Sequence, residues 1–270
     1  MKLSIIIVNY FSKNLVRESL KKLFGQNFCF EWEVIVVDNS PREGLGKKIV
    51  SEFPHVKHVA SEKNLGFAAG NNIGLRQAKG DFLLILNPDI FVGESSLESL
   101  MSYLDSNRGV GLIAPQLLNP NGSIQYSCHH FPKWFMPILR RTFLGNFVWA
   151  KKYLDYYEMK YWDHLSEKEI DWAMGACLMV RRDAMEKVGH MDDGYFLYFE
   201  DTDWCRRFWR AGFKVMYLPQ AKMFHFHKRA SKFPVIFSVF NKPSRAHIKS
   251  ALKYFWKWRN SSLTAGKAGI

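Results

Sequence analysis

Acidic residues are absent from the last quarter of this chain, which has 270 residues and a net charge of +13. From Trp204 to the C-terminus there are 15 Lys or Arg residues and no Asp or Glu, whereas the first 203 residues hold 23 basic and 25 acidic residues. All of the excess positive charge therefore lies in the last quarter. A basic region of this kind favours an anionic partner, and nucleic acid, anionic lipid and a phosphorylated substrate are the candidates.

Cysteines and long apolar runs are also scarce. The four cysteines lie at positions 29, 128, 177 and 205 and match neither a metal-ligand spacing nor a secreted disulfide framework, so a reducing cytosol is the simpler compartment. No stretch of 18 apolar residues exists, so no membrane-spanning helix is expected, although attachment to a membrane surface stays open. The apolar N-terminal run stops at Asn9 without a small-residue cleavage site, which favours a buried strand over a signal peptide.

Apolar residues make up 47% of the chain, which excludes disorder and leaves room for one large α/β domain, or one domain with an extension. In the first 104 residues, short apolar runs alternate with helical patterns. Strands are predicted over Leu3–Val8, Val34–Val37, His55–Ala60 and Phe82–Leu86, and helices after Ser12 and over Asn71–Ala78 and Leu97–Leu104. This alternation predicts an α/β fold with a mixed, mostly parallel sheet flanked by helices.

The later part of the chain is less regular. The segment from Asn119 to Lys168 is rich in aromatic residues and is expected to form a loop over a substrate. A strand is expected over Trp172–Arg181, and a basic amphipathic helix over Ser244–Arg259. One face of that helix carries Ile248, Ala251, Leu252, Phe255 and Trp258, and another carries Arg245, Lys249, Lys253 and Lys257. The helix suits either packing on its own domain or an anionic membrane surface, and the charge imbalance favours the membrane.

Polar residues follow three of the predicted strands, as Asn9-Tyr10, Asp38-Asn39 and Asn87-Pro88-Asp89. Parallel sheets bind ligands in the crevice beyond the carboxyl ends of their strands, so the three clusters together indicate a site. The Asp89 carboxylate could coordinate Mg²⁺ or Mn²⁺ together with substrate phosphates, because hard cations prefer oxygen ligands. Taken alone, Pro-Asp is a common turn pair after any strand.

The segment Asn64–Asn72 is rich in Gly, Ala and Asn. Its glycines would let the backbone approach a ligand closely, and its Asn side chains could pair with base or ribose groups. The segment matches neither the P-loop nor the dinucleotide-binding fingerprint. A loop that leads into a helix, with small residues for packing, is the equal alternative.

Three acidic residues stand within four positions at Glu200-Asp201-Thr202-Asp203. One of them could act as a general base that takes a proton from an acceptor hydroxyl. The alternative is a set of carboxylates at a helix N-terminus, where the helix dipole favours negative charge.

Two histidines, His225 and His227, precede the basic cluster Lys228–Lys232. A histidine here could complete a metal site or bind a diphosphate, and the cluster could hold phosphate. Histidines beside a basic tail are more often solvated.

In this order, these signals resemble the family 2 glycosyltransferases of GT-A (Rossmann-like) fold, and within that family the bacterial rhamnosyltransferases of O-antigen and cell-wall glycan synthesis. The resemblance covers nearly the whole chain, and each segment alone is weak. Its segments are Ser4–Tyr10, Val36–Ser40, Asn64–Asn72, Leu86–Ile90, Asp171–Ala176, Met179–Arg181, Tyr195–Arg207, His225–Ser231 and His247–Ser250.

The resemblance implies a role for individual residues. Asn9, Tyr10, Asp38 and Asn39 match positions beside the nucleotide, and Asn64, Gly66, Phe67, Asn71 and Asn87 match others near the donor. Asp201 matches the catalytic base, while Trp172, Gly175 and Glu200 match positions near the acceptor. Asp89 matches the last acid of the family's metal motif, and His225 a histidine that approaches the metal or diphosphate. Asn87 departs from the first acid of that motif.

The implied reaction is an inverting displacement in which Asp201 removes the acceptor proton and Mg²⁺ or Mn²⁺ stabilises the departing nucleoside diphosphate. The implied donor is dTDP-L-rhamnose, and the acceptor is a polyprenyl-diphosphate-linked saccharide. UDP-galactofuranose or UDP-N-acetylglucosamine as donor, and a non-enzymatic nucleic-acid-binding protein, are the alternatives. A lipid-diphosphate acceptor accounts for the basic tail without nucleic acid, and places the protein in the cytoplasm, peripheral on the inner face of the cytoplasmic membrane.

The expected domain organisation is a glycosyltransferase domain over residues 1–220, with a nucleotide-binding half at 1–118 and an acceptor-binding half at 119–220. Residues 221–270 are expected to form the basic C-terminal extension. The oligomeric state is left open.

Overall fold

The computed structural model describes residues 1–226 and 242–261. Their main feature is a ten-stranded mixed sheet, in which eight strands follow one another in the order β3-β2-β1-β4-β11-β6-β12-β5, with β7 paired to β6 and β9 to β12. The strands of this sheet are β1 Leu3–Asn9, β2 Trp32–Asp38, β3 Lys57–Ala60, β4 Phe82–Leu86, β5 Ile90–Val92, β6 Val110–Leu118, β7 Ile124–Gln125, β9 Lys168–Glu169, β11 Cys177–Arg181 and β12 Lys214–His225.

The first half of the chain builds the parallel part of this sheet. β3, β2, β1 and β4 are consecutive parallel neighbours. Burial is near-continuous in β1, β2 and β4, as their apolar runs predict, whereas the edge strand β3 has no fully buried residue. Helices α1 Lys13–Phe24, α2 Leu45–Glu52, α3 Phe67–Gln77 and α4 Ser96–Ser106 connect or cover these strands. The alternation predicted for the first 104 residues is therefore confirmed.

The second half of the chain joins the same sheet. β11 lies between β4 and β6 and is antiparallel to both, while β12 is parallel to β6. Its helices are α5 Met136–Arg141, α6 Val148–Tyr157, α7 Arg182–Val188 and α8 Glu200–Arg210. A separate two-stranded ladder pairs β8 Cys128–His129 with β10 Trp172–Ala173.

The core has one layer on each face of the sheet. Side chains of α1, α2 and α4 pack on one face, and those of α3, α7, α8 and the segment 128–162 pack on the other. Alternate residues of β1 divide between the faces, with Ile5 and Ile7 on the first and Ile6 on the second. Both faces being covered explains why few polar residues interrupt the central strands.

Two predicted segments differ from the structure. The strand expected over Trp172–Arg181 is interrupted at residues 174–176, and only its ends are β10 and β11. The loop expected over Asn119–Lys168 contains α5, α6 and the 3₁₀ helix Phe143–Asn146. These helices are short, and many aromatic residues of the segment are exposed, so the sequence does not show the apolar periodicity that would have predicted them.

The C-terminal helix is α9, Lys242–Lys257, and it packs on the turn before α8. Ala251, Tyr254 and Trp258 are buried there against Tyr195 and Phe199. The predicted apolar face is therefore divided, because Ile248 and Leu252 are 43% and 68% exposed. In the described residues, no helix has both the length and the apolar character needed to cross a membrane.

Candidate active site

The carboxyl ends of β1 and β2 meet in a buried hydrogen-bond network. Asn9 and Asp38 are register partners, and Asn9 Nδ2 donates to Asp38 Oδ1 over 2.9 Å. The Ser40 backbone N–H donates to the same oxygen over 2.9 Å. Burial raises the pKa of Asp38, but its contacts with His58, Asn9 and Ser40 outweigh burial and hold the pKa below its ordinary value. Asp38 is thus an anion fixed at the sheet edge.

The neighbouring Asn39 ties this edge to the Asn64–Asn72 loop. Asn39 Nδ2 donates to the carbonyl of Gly66 over 2.9 Å, and Asn64 Oδ1 accepts the Gly66 amide over 2.9 Å. Gly66 has φ of 88°, and a side chain there would collide with the carbonyl of Phe196. The glycine is therefore required both by its backbone conformation and by this close approach.

The loop continues into α3, where Phe67 and Asn71 point toward the centre of the molecule. The Phe67 amide donates to the Phe196 carbonyl over 2.9 Å, and its ring lies against Gly175. Asn71 is 1% exposed, and its Nδ2 donates to the Phe67 carbonyl over 3.0 Å. The predicted nucleotide loop thus reaches from Asn39 on one side to Gly175 on the other.

Tyr10 is the exposed member of the predicted donor set. It is 53% exposed at the end of β1, and its ring meets that of Phe11 edge-on at 4.9 Å between centroids. Asn9, Asp38 and Asn39 are all nearly inaccessible. Tyr10 can therefore offer a ring face to a planar base, while the buried residues fix the edge behind it.

The end of β4 lies next to the segment that holds Asp201. The Asn87 amide donates to the carbonyl of Ala176 over 2.8 Å, and the amide of the preceding Gly175 donates to Asp201 Oδ2 over 2.9 Å. One dipeptide therefore joins the strand end that carries Asn87 and Asp89 to the predicted catalytic base.

Asp89 and His225, the two residues predicted from the sequence to bind a metal, lie next to each other. His225 Nε2 is 3.4 Å from Asp89 Oδ2, and the Phe226 amide donates to the Asp89 carbonyl. His225 is 3% exposed, and its Nδ1 is 2.7 Å from Gln125 Oε1. An amide oxygen can only accept a hydrogen bond, so Nδ1 of His225 carries a proton. This hydrogen bond orients the imidazole ring so that Nε2 faces Asp89.

The donor set of Asp89 and His225 fits a divalent cation. Two acceptor atoms facing each other at 3.4 Å need a proton or a cation between them. Adjacent ligands of one octahedral ion, each about 2.1 Å from it, are separated by roughly 3 Å, which is close to this spacing. No cluster of three or more His, Cys, Asp or Glu is placed for a metal within residues 1–226 and 242–261. Substrate phosphates and water are suited to supply further oxygen ligands.

Gln125 was not identified from the sequence. It lies on β7, a two-residue strand in a segment with no apolar period to mark it. Only the antiparallel pairing of β7 with β6, and the course of β12 beside β6, bring Gln125 to His225. No local signal in the sequence could have assigned this role.

Glu200 and Asp201 form the first turn of α8. The backbone amides of Gly175 and Thr202 each donate to Asp201, over 2.9 and 2.7 Å. Burial raises the pKa of Asp201, an effect that these hydrogen bonds partly offset. Burial, together with the charge of Asp201, raises the pKa of Glu200 well above its ordinary value. In the described part of the chain, Glu200 Oε2 is buried and accepts no hydrogen bond.

The backbone before this turn is strained. Tyr198 and Phe199 both have positive φ, 70° and 69°, which is uncommon for residues with large side chains. The two residues place Glu200 and Asp201 at the start of α8, with Asp201 beside Gly175. Strain of this kind persists where the surrounding packing determines it, and here Phe199 packs against α9.

Asp203 has a different environment from its neighbours in the acidic cluster. It is fully buried, and its carboxylate accepts from Arg207 Nε over 3.0 Å, Lys257 Nζ over 3.0 Å and Trp258 Nε1 over 2.8 Å. Two of these donors belong to the C-terminal segment. The alternative interpretation of the acidic cluster, structural acids at a helix start, therefore holds for Asp203.

Trp172 lies in the core rather than on an open surface. It is 8% exposed, its ring packs on His129 at 4.6 Å, and its indole N–H donates to the His130 carbonyl over 2.9 Å. Contact of Trp172 with an acceptor stays a prediction. The predicted phosphate cluster Lys228–Lys232 and His227 lie outside the described residues.

The chain is similar to proteins of a known family. The family model described as "Glycosyl transferase family 2" matches residues 4–189. The chain is 28% identical to N-acetylglucosaminyl-diphospho-decaprenol L-rhamnosyltransferase of Mycobacterium tuberculosis, over 73% of this chain and 67% of that protein. It is 27% identical to rhamnosyltransferase WbbL of Escherichia coli K12, over 94% of this chain and 93% of that protein.

Solved structures show the same fold at lower identity. The structure of GalNAc-T7 with UDP, GalNAc and Mn²⁺ matches with a TM-score of 0.68 and 15% identity, over 97% of this chain and 48% of that one. Mannosyltransferase PcManGT from Pyrobaculum calidifontis, in complex with GDP-Man and Mn²⁺, matches with a TM-score of 0.59 and 17% identity, over 95% and 64%. The predicted GT-A fold is thereby confirmed.

Proposed function

The chain belongs to glycosyl transferase family 2, and on that premise we propose that it transfers L-rhamnose from dTDP-L-rhamnose to a polyprenyl-diphosphate-linked saccharide. The names of two relatives support rhamnose as the transferred sugar, and one of them names a lipid-diphosphate acceptor. The product would serve cell-surface polysaccharide synthesis. The observation that carries the proposal is the contact of both Asn87 and Asp201 with the dipeptide Gly175-Ala176.

Asp201 is the proposed catalytic base of an inverting displacement. Its carboxylate takes the proton of the acceptor hydroxyl as the oxygen attacks the anomeric carbon and the bond to the nucleoside diphosphate breaks. The transition state has oxocarbenium character, as in glycoside hydrolysis. The hydrogen bonds from Gly175 and Thr202 fix the carboxylate, while burial raises its pKa and so its strength as a base.

The donor is proposed to bind at the edge formed by β1, β2 and β4. Tyr10 is available to stack on the base, and the Asn64–Asn72 loop is proposed to close over the nucleotide, with Gly66, Phe67 and Asn71 in it. Asp89 and His225 would hold a divalent metal, Mg²⁺ or Mn²⁺. When bound, the metal would neutralise charge that develops on the leaving nucleoside diphosphate.

The acceptor side is proposed to include Gly175, Glu200 and Trp172. A neutral Glu200, favoured by its raised pKa, could donate a hydrogen bond to an acceptor hydroxyl beside the base. Residues 119–220 are proposed as the acceptor-binding half and 1–118 as the nucleotide-binding half. β12 runs through the proposed boundary at residue 220, so the extension at 221–270 starts inside a strand.

A membrane contact through α9 is part of the proposal, although its aromatic face is largely occupied by the domain. Ile248, Leu252 and Trp256 form an exposed stripe at a spacing of four residues, and Arg245 and Lys249 are exposed beside it. Apolar and cationic side chains in one helix surface suit an anionic bilayer. The proposed location is the inner face of the bacterial cytoplasmic membrane.

A donor panel tests the proposal. The full chain is incubated with Mn²⁺, a polyprenyl-diphosphate N-acetylglucosamine acceptor, and dTDP-L-rhamnose, UDP-galactofuranose or UDP-N-acetylglucosamine in turn. We expect mass spectrometry to show addition of one deoxyhexose from dTDP-L-rhamnose only. Product from a UDP-sugar, with none from dTDP-L-rhamnose, would replace the donor assignment and leave the reaction class intact.

A further inference from the structure

The segment 133–157 forms an aromatic hairpin, made of α5, the 3₁₀ helix Phe143–Asn146 and α6. One side of the hairpin is anchored in the core by Met136, Leu139, Ala150 and Tyr157, which are at most 4% exposed. The other side has no cover within the described residues. It exposes six large apolar side chains to between 44% and 73%: Trp134, Ile138, Phe143, Phe147, Val148 and Trp149. A concentration of exposed apolar side chains in one short segment is typical of an interaction site.

The aromatic hairpin carries more positive than negative charge. No Asp or Glu occurs between Asp105 and Asp155, and six Lys or Arg residues do. Five of the six belong to the hairpin, which also holds Asp155; Lys133, Lys151 and Lys152 are exposed, while Arg140 pairs with Glu158 beside the hairpin. An excess of positive charge next to exposed apolar side chains favours a partner that presents both apolar and anionic groups.

We propose that the aromatic hairpin docks on the surface of an anionic lipid bilayer. Tryptophans with Phe and Val between them, flanked by lysines, match the interfacial zone where rings meet headgroups and lysines meet phosphates. The hairpin would lie on the bilayer and not cross it. α6 has ten residues and is about 15 Å long, half of the roughly 30 Å hydrocarbon core.

The base of the hairpin is tied to the candidate active site. The His130 amide donates to the Tyr157 carbonyl over 2.9 Å, which closes the hairpin at its two ends. β8, just before it, pairs with β10, and β10 leads within two residues to Gly175 and its bond to Asp201. A bilayer held by the hairpin would thus contact an element whose base is hydrogen-bonded to the segment beside Asp201, and would present a lipid-linked acceptor near it. The claim that the bilayer brings the acceptor to Asp201 rests on the proposed function, whereas the claim that the hairpin binds a bilayer does not.

The hairpin and α9 are also adjacent. The Arg206 guanidinium lies 4.9 Å from the ring of Phe131, at the hairpin base, and 4.9 Å from the ring of Trp258, after α9. The base of the hairpin and the residue that follows α9 therefore flank one arginine. If both segments contacted a bilayer, the protein would be held in a fixed orientation, which contact through a single helix would not provide.

Vesicle sedimentation tests the inference. The full chain is mixed with vesicles of phosphatidylcholine alone, or with phosphatidylglycerol added. The triple substitution Phe143→Ser, Phe147→Ser and Trp149→Ser is expected to weaken partition onto the anionic vesicles at least ~tenfold, because three exposed apolar side chains are lost. Leu165→Ser is the matched control, since Leu165 is 67% exposed outside the hairpin, and should sediment as the parent does.

The outcomes are distinct. Equal sedimentation of the triple variant and the parent would overturn the inference, as would a parent that binds no vesicle and instead self-associates through this surface. Transfer to a short-chain, water-soluble acceptor diphosphate should be unchanged in the triple variant. If the parent transfers no rhamnose to either acceptor but sediments as expected, the proposed function fails and the bilayer surface stands. A thermal midpoint equal to the parent's verifies that the triple variant is folded.

Discussion

In the part of the chain that the structure describes, the carboxylates at the start of α8 fall into two kinds, one without a cationic partner and one bonded to the C-terminal segment. Glu200 and Asp201 have no Lys or Arg bonded to them in the described residues, and burial raises the pKa of both. Two positions later, Asp203 is held by Arg207, Lys257 and Trp258. The same four-residue cluster thus contains a pair that can exchange protons and an acid that fastens the C-terminal helix. The partner of each carboxylate, and not its place in the cluster, decides its role.

The largest effect is expected for Asp201→Asn. The amide cannot accept the acceptor proton, so kcat should fall about a thousandfold, equivalent to ~4 kcal/mol of transition-state stabilisation. The thermal midpoint should stay within a few degrees of the parent's, because no cation loses its partner. Initial rates and thermal unfolding measure both quantities. Asp193→Asn, at an exposed acid nearby, is the control. A wild-type rate for Asp201→Asn would remove Asp201 from the reaction.

Asp203→Asn should show the reverse pattern. Removing the charge leaves Arg207 and Lys257 without their shared carboxylate, at a cost of about 2 kcal/mol of unfolding free energy. This is less than for a fully buried pair, because the Lys257 side chain is 30% exposed. Chemical denaturation measures the loss, while kcat at low temperature should fall less than tenfold. A variant with the parent's stability and a thousandfold slower rate would reverse the comparison.

Asp201, the proposed base, and Asp192, which pairs with α9, should titrate in different ranges of pH. Asp201 must be ionised to act, so kcat/KM should rise with pH, with a midpoint above the ordinary Asp pKa of about 3.9 because burial raises it. Burial also raises the pKa of Asp192, but hydrogen bonds from Lys253 and Lys257 outweigh it and lower the pKa to about 2. Its contribution to α9 docking is therefore complete above about pH 4 and lost toward pH 2.

A pH series on one sample distinguishes these events. Activity should decline at a pH where tryptophan fluorescence still reports a docked α9, and docking should fail only in stronger acid. Coincident loss of rate and fluorescence would mean that acid unfolding, and not protonation of the base, limits the reaction. Asp192→Asn should move only the fluorescence transition.

The smallest effect is expected at Asp89, a third carboxylate, which faces His225. Gln125→Leu removes the acceptor of the His225 Nδ1 proton, so the imidazole loses its fixed orientation. Mn²⁺ affinity should fall about tenfold, measured by calorimetric titration with the nucleoside diphosphate present. Ser123→Ala, exposed in the same turn, is the control. Unchanged Mn²⁺ affinity would show that Gln125 does not position the ligand.

The sequence predicted the parts of the fold that depend on local periodicity. The strands at Leu3, Val34 and Phe82 are buried on both faces, so their apolar runs identify them, and their order fixes the edge where Asn9, Asp38 and Asn87 meet. Placement of Glu200 and Asp201 beside that edge depends on β10 and β11, whose interruption has no signature in the sequence. The division between Asp201 and Asp203 depends on Lys257, more than fifty residues away.

The basic and aromatic residues of the C-terminal segment favoured a membrane helix over a helix packed on the domain. In the structure, Tyr254 and Trp258 pack on the domain, and Lys253 and Lys257 pair with Asp192 and Asp203, so the membrane contact, which stays a prediction, falls to the exposed stripe. A helix with two apolar stripes has the same composition whichever stripe is buried. Only the contact surface, here the turn around Tyr195 and Phe199, selects one.

β11 has a consequence for engineering. Its strand comes from the second half of the chain but lies between β4 and β6, paired with both. A chimaera that exchanges residues 119–220 for those of another transferase would replace a central strand whose side chains fit donor-side neighbours on either face. A chimaera of this kind should therefore keep this chain's own β11, Cys177–Arg181, so that both of its pairings are preserved.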